Sequence, residues 1–187
     1  MTFYDLVVAG LGGQGTLIIG KFLAEAAGSM YRYSSFFPNY GPTMRGGECE
    51  CTVIFSDKEV SAPTILNPSV VILLGVRAIT NTINEFIPRV RPDGIIIMDS
   101  LTSVDIKRND IHLYSIPANE IATKLGNSQV ANFVFLGAYI GATNSIQLDI
   151  LETLMEKKMS GGKKKALLEL NKAALREGVK IIAEGAK

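Results

Sequence analysis

Residues 6–15 read Leu6-Val7-Val8-Ala9-Gly10-Leu11-Gly12-Gly13-Gln14-Gly15. An aliphatic run without polar alternation is the pattern of a strand buried on both faces, as in parallel sheets. Beyond it, Leu17, Ile18, Phe22 and Ala26 recur at near-helical spacing through 16–28, so the glycines fall in a strand-to-helix turn. Gly10, Gly12 and Gly15 stand at G-x-G-x-x-G spacing. The first glycine permits a tight turn, the second lets backbone approach a ligand, and the third lets helix pack on strand, while the helix N–H groups favour an anion.

The same theme recurs downstream. Val70–Leu74 precedes a helical pattern near Ala78–Phe86, and Gly94–Met98 follows the breakers Pro88 and Pro92. Alternation of buried strand and helix predicts an α/β fold with a mostly parallel, Rossmann-like sheet flanked by helices. Cys51–Phe55, followed by Ser56-Asp57-Lys58, reads as half of a hairpin near 48–61, with Val60 in the return strand. After a short strand at Ile111–Ile116 the C-terminal third is helical, over 118–125, 129–141, 148–157 and 164–183. In the last segment Leu168, Leu175 and Ile182 recur at heptad spacing and Leu167, Leu170, Ala174 and Ile181 flank them, a broad apolar stripe that something must cover. No compositional seam divides the chain, so 1–187 is expected to be one domain.

Composition narrows the class. With 47% hydrophobic and 20% charged residues the chain is of ordinary globular make-up. Nineteen Lys and Arg against 18 Asp and Glu leave +1, which exerts no general pull toward nucleic acid or acidic membranes. The longest nearly apolar window, Phe133–Ala142, is about half the ~20 residues needed to span a bilayer. No basic segment with a signal core opens the chain, and a cytoplasmic location is expected. Lys163-Lys164-Lys165, beside Lys157-Lys158, reads as a solvated helix face.

Catalytic equipment is sparse. Cys49 and Cys51 suit a reducing compartment better than a disulfide scaffold, and an iron-sulfur cluster ordinarily takes a larger thiolate set. At strand spacing both point to one face, as small packing residues or, alternatively, as a shared metal or redox pair. His112, the sole histidine, has no partner at ligand spacing, and neither a G-x-S-x-G elbow nor a phosphate-loop motif occurs. The isolated chain is expected to be inactive.

A dinucleotide reading of the glycine turn needs an acidic residue about 20 positions on, to grip a ribose. Between Glu25 and Glu48 there is none, although Arg32 could serve a 2'-phosphate, and neither Gly13 nor Gln14 follows from dinucleotide logic. The least regular stretch, Ser34–Gly47, carries two prolines, three glycines and no acidic residue, and long loops in compact domains are commonly functional. Within it, Arg45 among Gly41, Gly46 and Gly47 can reach a carboxylate or phosphate bidentately in sterically open surroundings. The plainer alternative pairs Arg45 with Glu48 or Glu50. The loop lies where the first and second strands should end, the edge at which α/β sheets bind ligands.

In order along the chain, GLGGQG (10–15), YGPTMRGG (40–47) and SAPTI (61–65) resemble the gamma subunit of the 2-oxoacid:ferredoxin (or flavodoxin) oxidoreductases. The likeness continues through Pro117–Ala122, Gly126-Asn127, Asn132, Leu136-Gly137, Asn171-Lys172-Ala173 and Gly178. It implies an accessory α/β subunit of a multi-subunit enzyme of anaerobic metabolism that decarboxylates a 2-oxoacid and passes its acyl group to coenzyme A. Thiamine diphosphate would be held by alpha and beta subunits, iron-sulfur clusters by beta or a ferredoxin-like delta subunit, and electrons would leave to ferredoxin or flavodoxin. Tyr-Gly-Pro-x-x-Arg-Gly-Gly looks most like the 2-oxoglutarate branch, with 2-oxoisovalerate next and pyruvate as a further alternative.

The candidate site is then Gly10, Gly12, Gly13, Gln14 and Gly15 with Tyr40, Gly41, Pro42, Arg45, Gly46 and Gly47. These are expected to form adjacent loops at the carboxyl edge of the sheet, facing partner subunits near coenzyme A, and the broad apolar surface is expected to be covered by subunit contact. Two alternatives stay open: a free-standing dinucleotide-binding protein, and a structural subunit whose loops serve only docking.

Overall fold

Leu6, Val7, Val8 and Ala9 are each fully buried, at the middle of a sheet whose two faces are both covered. In the computed structural model, which describes residues 3–40, 47–60, 62, 64–74, 80–102, 104–161 and 163–185, they belong to β1 (Phe3–Leu11). Chain order continues with α1 (Thr16–Ala27), β2 (Tyr33–Tyr40), β3 (Glu48–Ser56), β4 (Val70–Leu73), α2 (Thr80–Phe86), β5 (Ile95–Asp99) and β6 (His112–Ile116). Four helices close it: α3 (Ala118–Lys124), α4 (Ala131–Thr143), α5 (Leu148–Lys158) and α6 (Lys163–Ala183).

Spatially the strands run β2-β3-β1-β4-β5-β6. β1, β4, β5 and β6 are mutually parallel, as the aliphatic runs predict, while β3 pairs antiparallel with both β1 and β2. Alternation along β1 divides the interior. Leu6 and Val8 pack with residues of α1, α3, α4, α5 and α6 on one face. Val7 and Ala9 pack with Phe86, Ile87 and Val90 on the other.

Two expectations are corrected. The arm that completes the hairpin lies upstream of β3: Tyr33 stands opposite Ser56 and Tyr40 opposite Cys49, and Val60 lies in irregular backbone. Pro38 and the polar residues of 34–40 mimic a loop in sequence. An edge strand leaves half of its N–H groups outside the ladder, however, and there proline is tolerated. The second correction concerns the α6 stripe, which α4 covers from within the chain. Ala174 and Leu175 are fully buried, and a Cβ on Gly137 would overlap the Leu175 carbonyl oxygen while one on Gly178 would overlap that of Val134. The two helices meet backbone to backbone because both crossing positions lack a side chain.

Ion pairs fasten the same layer. Lys158 pairs with Glu25 across α5 and α1, and Arg176 grips Glu152 with two hydrogen bonds of 2.6 and 2.9 Å across α6 and α5. Lys158 therefore belongs to a helix contact as well as to the solvated face. The side chains of Lys163, Lys164 and Lys165 lie outside the described residues.

The cysteines behave as packing residues. Cys51 is fully buried under α1, its Sγ 3.6 Å from the Thr16 carbonyl oxygen, and burial pushes its thiol from 9.0 up to about 12, with Cys49 and Glu50 adding to the rise. Cys49 is half-buried. A thiol reagent at neutral pH is thus expected to modify Cys49 in the native chain and Cys51 only after unfolding, counted by mass spectrometry. Tyr31 is likewise raised, from 10.0 to about 12, by burial first and then by Tyr4. Groups whose folded pKa is raised stabilise the fold below their unfolded values and lose that contribution as pH climbs through the folded ones. Urea unfolding should therefore show these two contributions intact to about pH 9 and fading toward pH 12.

Candidate functional site

The glycine turn begins where β1 runs out. Gln14 Oε1 accepts the Leu11 N–H at 2.7 Å and the Gln14 N–H donates to the Leu11 carbonyl at 3.1 Å, so one side chain closes the turn from both directions. Gly13 and Gly15 have φ of 101° and 87°, in the left-handed region that costs a side-chain-bearing residue about 1–2 kcal/mol. α1 starts at once, with no side-chain cap and no acidic residue in its first turn. Its positive N-terminal end is left for an anion.

The antiparallel direction of β3 brings the second glycine-rich segment to this edge. Leu11 stands opposite Glu48 and Gly10 opposite Cys49, which is itself opposite Tyr40. Tyr40 and Glu48 thus end beside the turn, and the Gly12 N–H donates to the Gly47 carbonyl at 2.9 Å. The structure brings Gly10, Gly12, Gly13, Gln14, Gly15 and Gly47 together at this edge. Gly41, Pro42, Arg45 and Gly46, and the side chain of Tyr40, lie outside the described residues.

A second wall, which the motif reading did not assign to the site, comes from the α3–α4 junction. Just past the end of α3 stands Gly126, whose φ is 94°. Asn127 then caps the short 3-10 turn Ser128–Val130, its Oδ1 accepting the Gln129 N–H at 2.9 Å. Asn132 is 5% exposed; its Oδ1 accepts the Phe133 N–H at 3.0 Å and its Nδ2 lies over Gly15, where any Cβ would collide with it. The start of α3 is held by the buried Asp99 at the end of β5, whose Oδ2 accepts from Asn119 Nδ2 at 2.9 Å and whose Oδ1 accepts the Leu101 N–H at 3.0 Å.

Gly13, Gln14, Gln129 and Asn132 form a ridge with a hollow on each side. The larger, about 460 Å³, has an apolar floor including Ile18, Phe22, Phe133 and Met159, with Lys21 and Lys158 among its lining residues. The smaller, about 230 Å³, opens toward Leu74, just past β4, and Asn119 in the first turn of α3. An apolar basin, two lysines and a ridge of N–H donors suit a ligand with an apolar body and an anionic link. His112 is exposed at the start of β6. Among the described residues, no helix is long and apolar enough to cross a membrane.

Comparison with known proteins bears on this arrangement. Residues 5–181 match the family described as pyruvate ferredoxin/flavodoxin oxidoreductase. The chain is 34% identical over 173 residues to the ketoisovalerate oxidoreductase subunit VorA of Methanothermobacter thermautotrophicus, a match that covers 91% of this chain but spans only 35% of that relative's length. It is 28% identical over 192 residues to the 2-oxoglutarate synthase subunit KorC of Methanothermobacter marburgensis, covering 98% of each. Among solved structures, the keto/oxoacid ferredoxin oxidoreductase gamma subunit of Geobacter sulfurreducens superposes with a TM-score of 0.80 at 25% identity, over 100% of both chains. The chain belongs to the pyruvate ferredoxin/flavodoxin oxidoreductase family.

Proposed function

We propose that the whole chain, as one domain, is the gamma-type subunit of a cytoplasmic 2-oxoglutarate:ferredoxin or flavodoxin oxidoreductase. The complex converts 2-oxoglutarate and coenzyme A into succinyl-CoA and CO2, with the electrons leaving to the acceptor protein. Thiamine diphosphate and the iron-sulfur clusters reside on alpha, beta and, where present, delta partners, and this chain alone is inactive. Its own task is to offer the carboxyl edge of its sheet to coenzyme A at the boundary with those partners. The observation that carries this reading is the Gly12–Gly47 backbone bond, which ties the glycine turn before the uncapped α1 to the residue two positions after Arg45 in sequence. Backbone N–H groups there can hold a phosphate, and Arg45 adds a bidentate donor for a phosphate or a partner's carboxylate.

Arg45→Ala in the reconstituted complex is expected to raise the KM for coenzyme A about ten-fold, the scale of a lost charge-assisted hydrogen bond, while the subunits still co-elute in gel filtration. Unchanged coenzyme A dependence with unchanged assembly would sink the proposal. Failure to assemble would favour a purely docking role for the loop. Full-length similarity to KorC supports 2-oxoglutarate as substrate, and the higher identity to VorA favours 2-oxoisovalerate as the second reading. A panel of 2-oxoacids assayed on the purified complex separates the two. Micromolar binding of NAD, NADP, FAD or ATP by the chain alone would instead favour a free-standing nucleotide-binding protein.

A further inference from the structure

We infer that Met159 is a reversible oxidation site: a peroxide converts its thioether to the sulfoxide, and Asn171 holds the new oxygen. Met159 follows the last turn of α5, its N–H donating to the Met155 carbonyl at 2.9 Å. Asn171 faces it from α6.

The hydrogen bond between the two side chains carries the argument. Asn171 is 4% exposed, and its Nδ2 donates to Met159 Sδ at 3.5 Å. A thioether sulfur is a weak acceptor, so this buried amide donor is poorly satisfied. Among the described residues, no other methionine sulfur receives a hydrogen bond. A sulfoxide is polar, and its oxygen accepts as a carbonyl does. Rotation about the terminal bonds of the unbranched methionine chain brings that oxygen to Nδ2.

Access separates Met159 from the other described methionines. It is half-buried and lines the 460 Å³ hollow together with Asn171. Met155, one turn earlier on the same helix, is fully buried, and Met98 is nearly so. An oxidant reaches neither unless the core opens, and a sulfoxide there would bury a dipole without a donor. Met30 is half-buried and packs on the core, again without a donor. Only Met159 combines reach with a waiting N–H.

In the forward step a lone pair of Sδ attacks one oxygen of hydrogen peroxide. The S–O bond forms as the O–O bond breaks, and the departing hydroxide takes the remaining proton and leaves as water. Sulfur loses two electrons and the peroxide gains them. In the return step a dithiol supplies two electrons and two protons through a methionine sulfoxide reductase, so that the oxygen leaves as water and the dithiol becomes a disulfide. Between the two states the floor of the hollow, otherwise apolar through Ile18, Phe22 and Phe133, gains a dipole, and α5 gains a stronger bond to α6.

The test exposes the purified full chain to hydrogen peroxide at neutral pH and follows each methionine by peptide mass spectrometry. Sulfoxide at Met159 is expected to form about ten-fold faster than at Met30, Met98 or Met155, and to revert with the reductase and a dithiol. Met1 and Met44 lie outside the described residues. Oxidised native chain should keep its urea midpoint within about 0.2 M, whereas Asn171→Leu, which has no donor for the sulfoxide, should lose about 0.5 M or more on the same oxidation. Met159→Leu, oxidised in parallel, reports any change that arises elsewhere, at Cys49 included. Oxidation of Met30, Met98 or Met155 as fast as Met159 would overturn the inference. So would a native chain that, after subtraction of the Met159→Leu control, is destabilised by oxidation as much as Asn171→Leu. If Asn171→Leu does not fold, the order of oxidation and the midpoint of the oxidised native chain still decide, a loss of about 0.5 M there counting against the inference.

Discussion

Gly137→Ala is expected to cost about 3 kcal/mol or more of stability, at or beyond the upper end of overpacking effects. The added methyl would overlap the Leu175 carbonyl oxygen and crowd the backbone of Gly178. Backbone cannot move aside by changing rotamer, so α6 must slide or lift as a unit. Lifting it exposes Ala174 and Leu175, and strains the Arg176–Glu152 pair that binds α6 to α5. Gly178→Ala makes the reciprocal collision with the Val134 carbonyl and should cost about as much. Urea denaturation followed by circular dichroism measures both. A loss below about 1 kcal/mol in either variant would show that the two helices can part without strain. Neither residue lines the ridge or its hollows, so under the proposed function folded material from either variant should leave the KM of the complex for coenzyme A unchanged.

The second large effect is expected at Gly15→Ala, compared with Gly13→Ala. Both positions have left-handed backbone, so each alanine costs about 1–2 kcal/mol from conformation alone. Only Gly15 adds a collision: nothing lies near a Cβ on Gly13, whereas at Gly15 the Asn132 amide occupies that space. Gly15→Ala should therefore lose clearly more stability than Gly13→Ala and, under the proposed function, raise the KM of the complex for coenzyme A about ten-fold or more, because the displaced Asn132 deforms the ridge. A double variant, Gly15→Ala with Asn132→Ala, should recover much of the excess stability loss, a coupling that denaturation of all four cycle members detects. Additive losses would show that the two residues do not touch in solution.

Much of the frame is legible in the chain because burial writes itself as periodicity. Leu6–Ala9 reads as a strand covered on both faces and is one, and the helical pattern at 16–28 matches α1 within a residue. The four C-terminal helices also fall close to their apolar periods. The exceptions share a cause: their signal lies in contacts between distant segments. Tyr33–Tyr40 spells a loop, with Pro38 and two serines, and becomes a strand only because β3 offers it a ladder. The α6 stripe calls for cover, but nothing in 163–183 says that α4 supplies it. For the site, the glycine spacing reveals the turn and the edge it occupies. It is silent about Asn132, a single amide in a helix apolar on nearly every side, whose meaning appears only when the fold sets it over Gly15. The likeness in motif order contained that asparagine without giving it a task.

The direction of β3 has a consequence for how this edge can vary. The β2–β3 pair is a lateral addition to a parallel frame: the chain enters it at Tyr33 and leaves it at Ser56, side by side at the lower end of the sheet, while Tyr40 and Glu48 stand at the upper end. Insertions or deletions between those last two residues therefore leave β1, β4, β5 and β6 in place. Among the described residues, the ridge and its hollows are lined from the glycine turn, α1, the α3–α4 junction and the C-terminal helices. Exchange of 41–46 for the corresponding stretch of a relative should therefore retune the partner or substrate preference of the proposed complex while the parallel frame and the ridge on it keep their shape.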